Sequence, residues 1–133
     1  MRAVIVFVGL ALLSGCMTSP ITAQDASPVP KDRMYAKPGS GTAKLVLTRD
    51  SGFFGAACNH RVYIDGDLSA EIGSGEVAIF SLNPGKHIVS VKPSTLCGSG
   101  ALVEREVDLE SGKSVRRRVS IGPGGIDLSP TAF

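Results

Sequence analysis

"EVAIFSLNPGKHIVSVK", residues 76–92, holds two short runs of alternating character on either side of Asn83-Pro84-Gly85. Alternation with a period of two sends successive side chains to opposite faces of a strand. Pro84 and Gly85 occupy the central positions of a type II turn, since proline holds φ near about −65° and glycine accepts a positive φ. The stretch therefore reads as two strands joined by a tight turn.

The chain on either side repeats the pattern. "AKLVLTR" (43–49), "HRVYID" (60–65), "LSAEIG" (68–73), "ALVEREVDL" (101–109), "SVRRRVSI" (114–121) and "GIDLS" (125–129) are short runs divided by Gly, Pro, Asn and Asp. No stretch carries apolar residues at helical spacing for long enough to make a helix. Strands of this length with a turn signal every ~8–12 residues predict an all-β fold. The expected domain is a single small antiparallel β-sandwich over residues 43–133.

A second hairpin can be argued to register. In "EREVDLESGKSVRRRV" (104–119), Val103, Val107 and Leu109 share one face, and so do Val115, Val119 and Ile121. A three-residue loop, Ser111-Gly112-Lys113, pairs Leu109 with Val115 and Arg105 with Val119. It also sets Asp108 against Arg116 and Glu106 against Arg118, cross-strand charge pairs worth about 0.2–1 kcal/mol each. On this reading Arg116–Arg118 is a solvated, charge-laced face, not a basic patch. Arg105 and Arg117 fall on the inward phase, with stems packed at the rim and heads in water.

Ahead of the domain, residues 16–42 are rich in Ser, Thr, Ala and Gly and hold Pro20, Pro28, Pro30 and Pro38, which argues against a helix. They are expected to form a flexible, disordered tether. Its root-mean-square reach over some two dozen residues would be about 25–30 Å. Before it, Met1-Arg2 and the unbroken apolar run "AVIVFVGLALL" (3–13) have the layout of a secretory signal peptide, expected over 1–15. The run is too short for a spanning helix, which needs ~20 residues.

"LSGC" (13–16) behind that run resembles the bacterial lipobox, in which the cysteine is lipidated and the chain is cut just before it. The resemblance implies a lipid anchor on Cys16, two or three acyl chains, and a protein anchored to a membrane without spanning it. Met17 stands where the inner-membrane retention signal of enterobacterial lipoproteins has Asp, which points to the outer membrane, facing the periplasm.

Removal of residues 1–15 takes away Arg2 and leaves 13 Lys and Arg against 12 Asp and Glu. That near-neutral balance, with export, gives no reason to expect nucleic acid as a partner. The 133-residue chain has seven aromatic residues and no Trp, so its core is modest and calls for a staple. With Cys16 assigned to lipid, Cys58 and Cys97 are left as a pair. An oxidising compartment favours a disulfide between them. The other readings are two free thiols, or a metal site with His60 and His87, whose spacing does not match a zinc finger.

"VYIDG" (62–66), "LNPGKHIVSVKP" (82–93) and "VDLESGKSVRRRVSI" (107–121) resemble successive pieces of the PEGA-type β-sandwich. The chain is similar to uncharacterised bacterial lipoproteins that join a lipobox and a proline-rich tether to such a domain of unknown function. The resemblance covers roughly residues 43–121. Where PEGA domains commonly carry Gly-Tyr, this chain has "STLCGSG" (94–100), so Cys97 lies outside the shared motif. The resemblance implies a fold and an envelope location, and no activity.

His60 and His87 are the only histidines. His87 opens the strand after the Pro-Gly turn, where the resembled family has a recurrent histidine, and a structural role is expected. His60 could be combined with Asp65 and a serine, but Asp65-Gly66 is an ordinary turn pair. Neither enzyme, cofactor nor metal is expected. "SGFFGAACNH" (51–60) supports two readings. Either one ring of Phe53 or Phe54 fills the end of the sandwich, or Phe53, Phe54 and His60 form an apolar recognition edge for another envelope protein. The expected function is a structural or adaptor lipoprotein, of the kind transthyretin-like lipoproteins provide. The alternative is a binder or inhibitor that presents a disulfide-pinned loop to a host enzyme or glycan.

Overall fold

Each of the eight expected runs is a strand in the computed structural model, which describes residues 18–37, 39–98 and 100–133. The strands are β1 (Ser27–Pro28), β2 (Ala43–Arg49), β3 (His60–Ile64), β4 (Asp67–Ile72), β5 (Glu76–Leu82), β6 (Gly85–Pro93), β7 (Val103–Leu109), β8 (Ser114–Gly122) and β9 (Gly125–Pro130). They form two sheets, β1-β5-β2-β8-β9 and β4-β3-β6-β7, packed as a small β-sandwich. Leu45, Leu47, Val62, Ile72, Phe80, Val89, Val91, Val107 and Val119 are buried in one core. Among the described residues, no helix is long and apolar enough to cross a membrane. The signal segment, its cleavage and Cys16 lie outside the described residues.

The first sheet is mixed, not purely antiparallel: β8 runs parallel to β2, and β1 parallel to β5. This overturns the expected β7–β8 hairpin. β7 pairs with β6 in the second sheet, while β8 pairs with β2 and β9 in the first. The turn at 110–113 delivers the chain across the sandwich, where Gly112 N–H donates to the Thr42 carbonyl and Lys44 N–H to that of Lys113. Both arrangements bury Val107, Leu109 and Val119, because alternation reports the face of a strand and not its partner. The charges re-pair accordingly: Glu106 meets Lys86 at 2.9 Å, and Arg118 meets Asp50.

The Asn83-Pro84 link crosses between sheets in the same way and not as a hydrogen-bonded type II hairpin turn: Gly85 already opens β6, at a positive φ of 124° that glycine accepts. Between β3 and β4, by contrast, Asp65 (φ 52°) and Gly66 (φ 89°) make a true two-residue hairpin turn.

The expected tether is largely docked chain. Ser19 bridges Ser51, β1 adds to the edge of β5, and Met34 bridges Ala70. Val29 is buried in the main core. Ala26 joins Val46 and Val77 in a second small cluster, with Ile21 and Ala23 against it. This cluster lies on the face of the first sheet turned away from the main core, and it explains why β2 is buried at nearly every position. Prolines exclude a helix here but do not stop extended chain from packing.

Candidate functional site

Strand directions sort the connections into two ends. One gathers 50–59, 73–75, 94–98 with 100–102, 123–124 and the incoming chain at Ser19. The other holds the tight turns 65–66, 83–84 and 110–113.

The loop end is built around Arg49. It continues the inward phase of Ala43, Leu45 and Leu47 and is only 1% exposed. Its Nη1 donates to the carbonyls of Cys58 (2.5 Å) and Ile72 (3.0 Å), and its Nη2 to that of Gly55 (2.6 Å). One guanidinium thus fixes the 50–59 loop to β4. Burial pushes its pKa down to about 10, with Glu76 opposing, so it stays charged at neutral pH. Its neighbour Asp50 is buried and takes both prongs of Arg118, at 2.7 and 2.6 Å.

Cys58 and Cys97 form a disulfide with Cα atoms 5.7 Å apart, joining the 50–59 loop to the short 3₁₀ turn Thr95–Cys97. Beside the bridge lies a cavity of about 330 Å³ lined by His60, Pro93, Val103, Ile121 and Ile126. His60 does not face outward as the recognition-edge reading requires. It opens β3 and is 3% exposed, its Nδ1 without a partner. Burial, then the Arg49 charge, push its pKa down to about 4 against a Cys58 backbone contact, so the ring is neutral at pH 7. Asp65 lies past the far end of the same strand, about 16 Å away at ~3.3 Å per residue, so the two share no site. The Cys₂His₂ set is likewise dispersed, since its sulfurs are bonded to each other and His87 is at the turn end.

His87 is fully engaged where it stands. Its Nδ1 lies 2.6 Å from an Asp65 carboxylate oxygen and its Nε2 2.8 Å from the Asn83 carbonyl. Both partners are acceptors, so only the doubly protonated ring satisfies both. The Asp65 and Asn83 contacts raise its pKa against burial. Asp65 also accepts the Ile88 N–H at 2.8 Å, so His87 ties two turns together.

Neither phenylalanine fills the end of the sandwich: Phe53 is 83% and Phe54 39% exposed. Leu96, next to the disulfide, is 98% exposed, and Leu102 also faces solvent. The sequence reading missed Leu96, whose position next to Cys97 was its signal. It missed Arg49 too, although its inward phase on β2 was legible. No protein-family model matches the chain, and no curated protein is similar to it.

Proposed function

We propose that the protein is a lipid-anchored, non-catalytic component of a bacterial cell envelope. It is lipidated at Cys16, held on the periplasmic side of the outer membrane, and serves as a structural or adaptor module for another envelope component. The observation that carries this reading is the Cys58–Cys97 disulfide, a bond that persists in oxidising compartments, on a chain with a lipobox-like "LSGC". The PEGA-like turn signatures support the same location. The non-catalytic part is supported by the histidines: His87 is committed to two turns, and His60 is sealed beside a cation.

The cavity beside the disulfide favours a second reading, a ligand binder, although about 330 Å³ is at the small end for such sites. Labelling cells with a clickable fatty acid, then cross-linking and mass spectrometry, tests the proposal. The label on the wild type and its loss in Cys16→Ser are expected, with cross-links to envelope proteins. An unlabelled, freely soluble protein would overturn it. Specific retention of a small molecule without protein cross-links would favour the second reading.

A further inference from the structure

Ser19 is three residues past Cys16 and is held to Ser51 by two backbone hydrogen bonds, 2.8 and 3.1 Å. Three residues of fully extended chain span at most about 10–11 Å. A free tether over 16–42 would give the domain about 25–30 Å of reach. The headgroup layer on each side of a bilayer is only about 5–8 Å thick. An acyl chain on Cys16 therefore brings Ser51, and the loop end with it, against the lipid surface.

The composition of that end fits the position. Its loops at 51–59, 73–75, 94–102 and 123–124 contain no Asp, Glu, Lys or Arg. The charged Asp50 that precedes them is buried against Arg118. Phe53, Phe54, Leu96 and Leu102 are exposed there, on loops cross-linked by Cys58–Cys97. The turns of the opposite end carry charges of their own, Asp65, Glu110 and Lys113, while the adjoining strand ends are charged at both, with Lys92 and Glu104 beside the loop end and Lys86 and Asp108 beside the turn end. An uncharged cap carrying large apolar side chains next to the anchor has the chemistry of an interfacial segment, which buries Phe and Leu at the boundary of headgroups and acyl chains.

We infer that the loop end of the sandwich is a membrane-contact surface, seated on the leaflet that holds the anchor, with Phe53, Phe54 and Leu96 entering the lipid. This rests on the lipid-anchored reading above. The disulfide and the Arg49 fork hold the inserting loops in one shape, so few conformations are lost when they enter. The charged turn end then points away from the membrane.

The native chain has no Trp, so Phe53→Trp and Phe133→Trp each install a single fluorescent reporter, one per end. Each full-length variant is purified in its mature form and reconstituted into phosphatidylethanolamine–phosphatidylglycerol vesicles, with or without brominated acyl chains. Flotation with the vesicles reads the anchor. Among proteins that float, brominated lipid should quench the indole of Phe53→Trp severalfold, with blue-shifted emission, and leave that of Phe133→Trp unchanged. A floating Phe53→Trp protein whose indole is as open to aqueous acrylamide as that of Phe133→Trp overturns the inference and leaves the anchor standing. So does a Phe53→Trp indole shielded from acrylamide but untouched by brominated lipid, the sign of burial against a second copy. Failure to float overturns the lipid-anchored reading itself, and the inference with it.

Discussion

Ser19 and Ser51 exchange two backbone hydrogen bonds, so the chain is fixed to the sandwich as soon as it enters the described structure. From there to Ala36 it runs along β5 and β4 and contributes side chains to two apolar clusters. The segment before β2 is part of the fold.

Val29 tests that statement by stability. It is buried in the main core. Val29→Ala should lower unfolding stability by about 2 kcal/mol, read from the shift in urea midpoint. A free tether would tolerate the change with no shift.

Arg49 should be among the least replaceable residues. Arg49→Met keeps the apolar stem but strands the carbonyls of Cys58, Ile72 and Gly55. A loss of about 3 kcal/mol or more is expected, since each unsatisfied buried acceptor costs ~1–3 kcal/mol. Arg49→Lys should restore only part of it, because an ammonium cannot fork to carbonyls on both β4 and the loop. Full recovery with Lys in chemical denaturation would mean that charge, not geometry, is what the site needs.

The disulfide joins residues 39 apart in sequence. On the chain-entropy model its removal costs about 4 kcal/mol. Cys58→Ser/Cys97→Ser should unfold at correspondingly lower denaturant, and reducing agent should destabilise the wild type but not the double variant.

The two histidines should shape the pH dependence in opposite senses. His60 falls to about 4 in the fold from ~6.5 unfolded. The unfolded chain therefore binds its proton first, and stability should drop as pH falls from about 6.5 toward 4, by roughly 3 kcal/mol in total. For His87 the folded pKa is raised. Its contribution is complete below the ordinary histidine value and is lost as pH rises through the folded value. His60→Gln should flatten the profile of stability against pH below the ordinary histidine value, and His87→Gln the part above it. Unchanged profiles would contradict the assigned environments.

The eight principal strands were legible because alternation and turn residues are local signals. Strand partnership was not. The Glu110–Lys113 and Asn83–Pro84 turns can close a hairpin or carry the chain between sheets, and the same inward faces are buried either way. What decides is the packing of β8 beside β2, a relation between residues about 70 apart. Docking of residues 18–37 was hidden by their prolines, though the unbroken "LVL" of β2 hinted at burial on both faces. At the loop end the disulfide was legible from the cysteine count, whereas His60 was misplaced because it was grouped with the exposed loop 51–60, although as the first residue of the expected 60–65 strand it shares the inward phase of Val62 and Ile64.

Neutron reflectometry of the mature lipidated protein on a supported bilayer tests most directly whether the sandwich is seated on the membrane. A seated sandwich predicts protein density that begins within the headgroup layer, with no water-rich gap, and extends outward by about 30 Å, the span of the nine-residue β6. A water-rich layer of about 25–30 Å between headgroups and protein, the reach of a free tether, would contradict it.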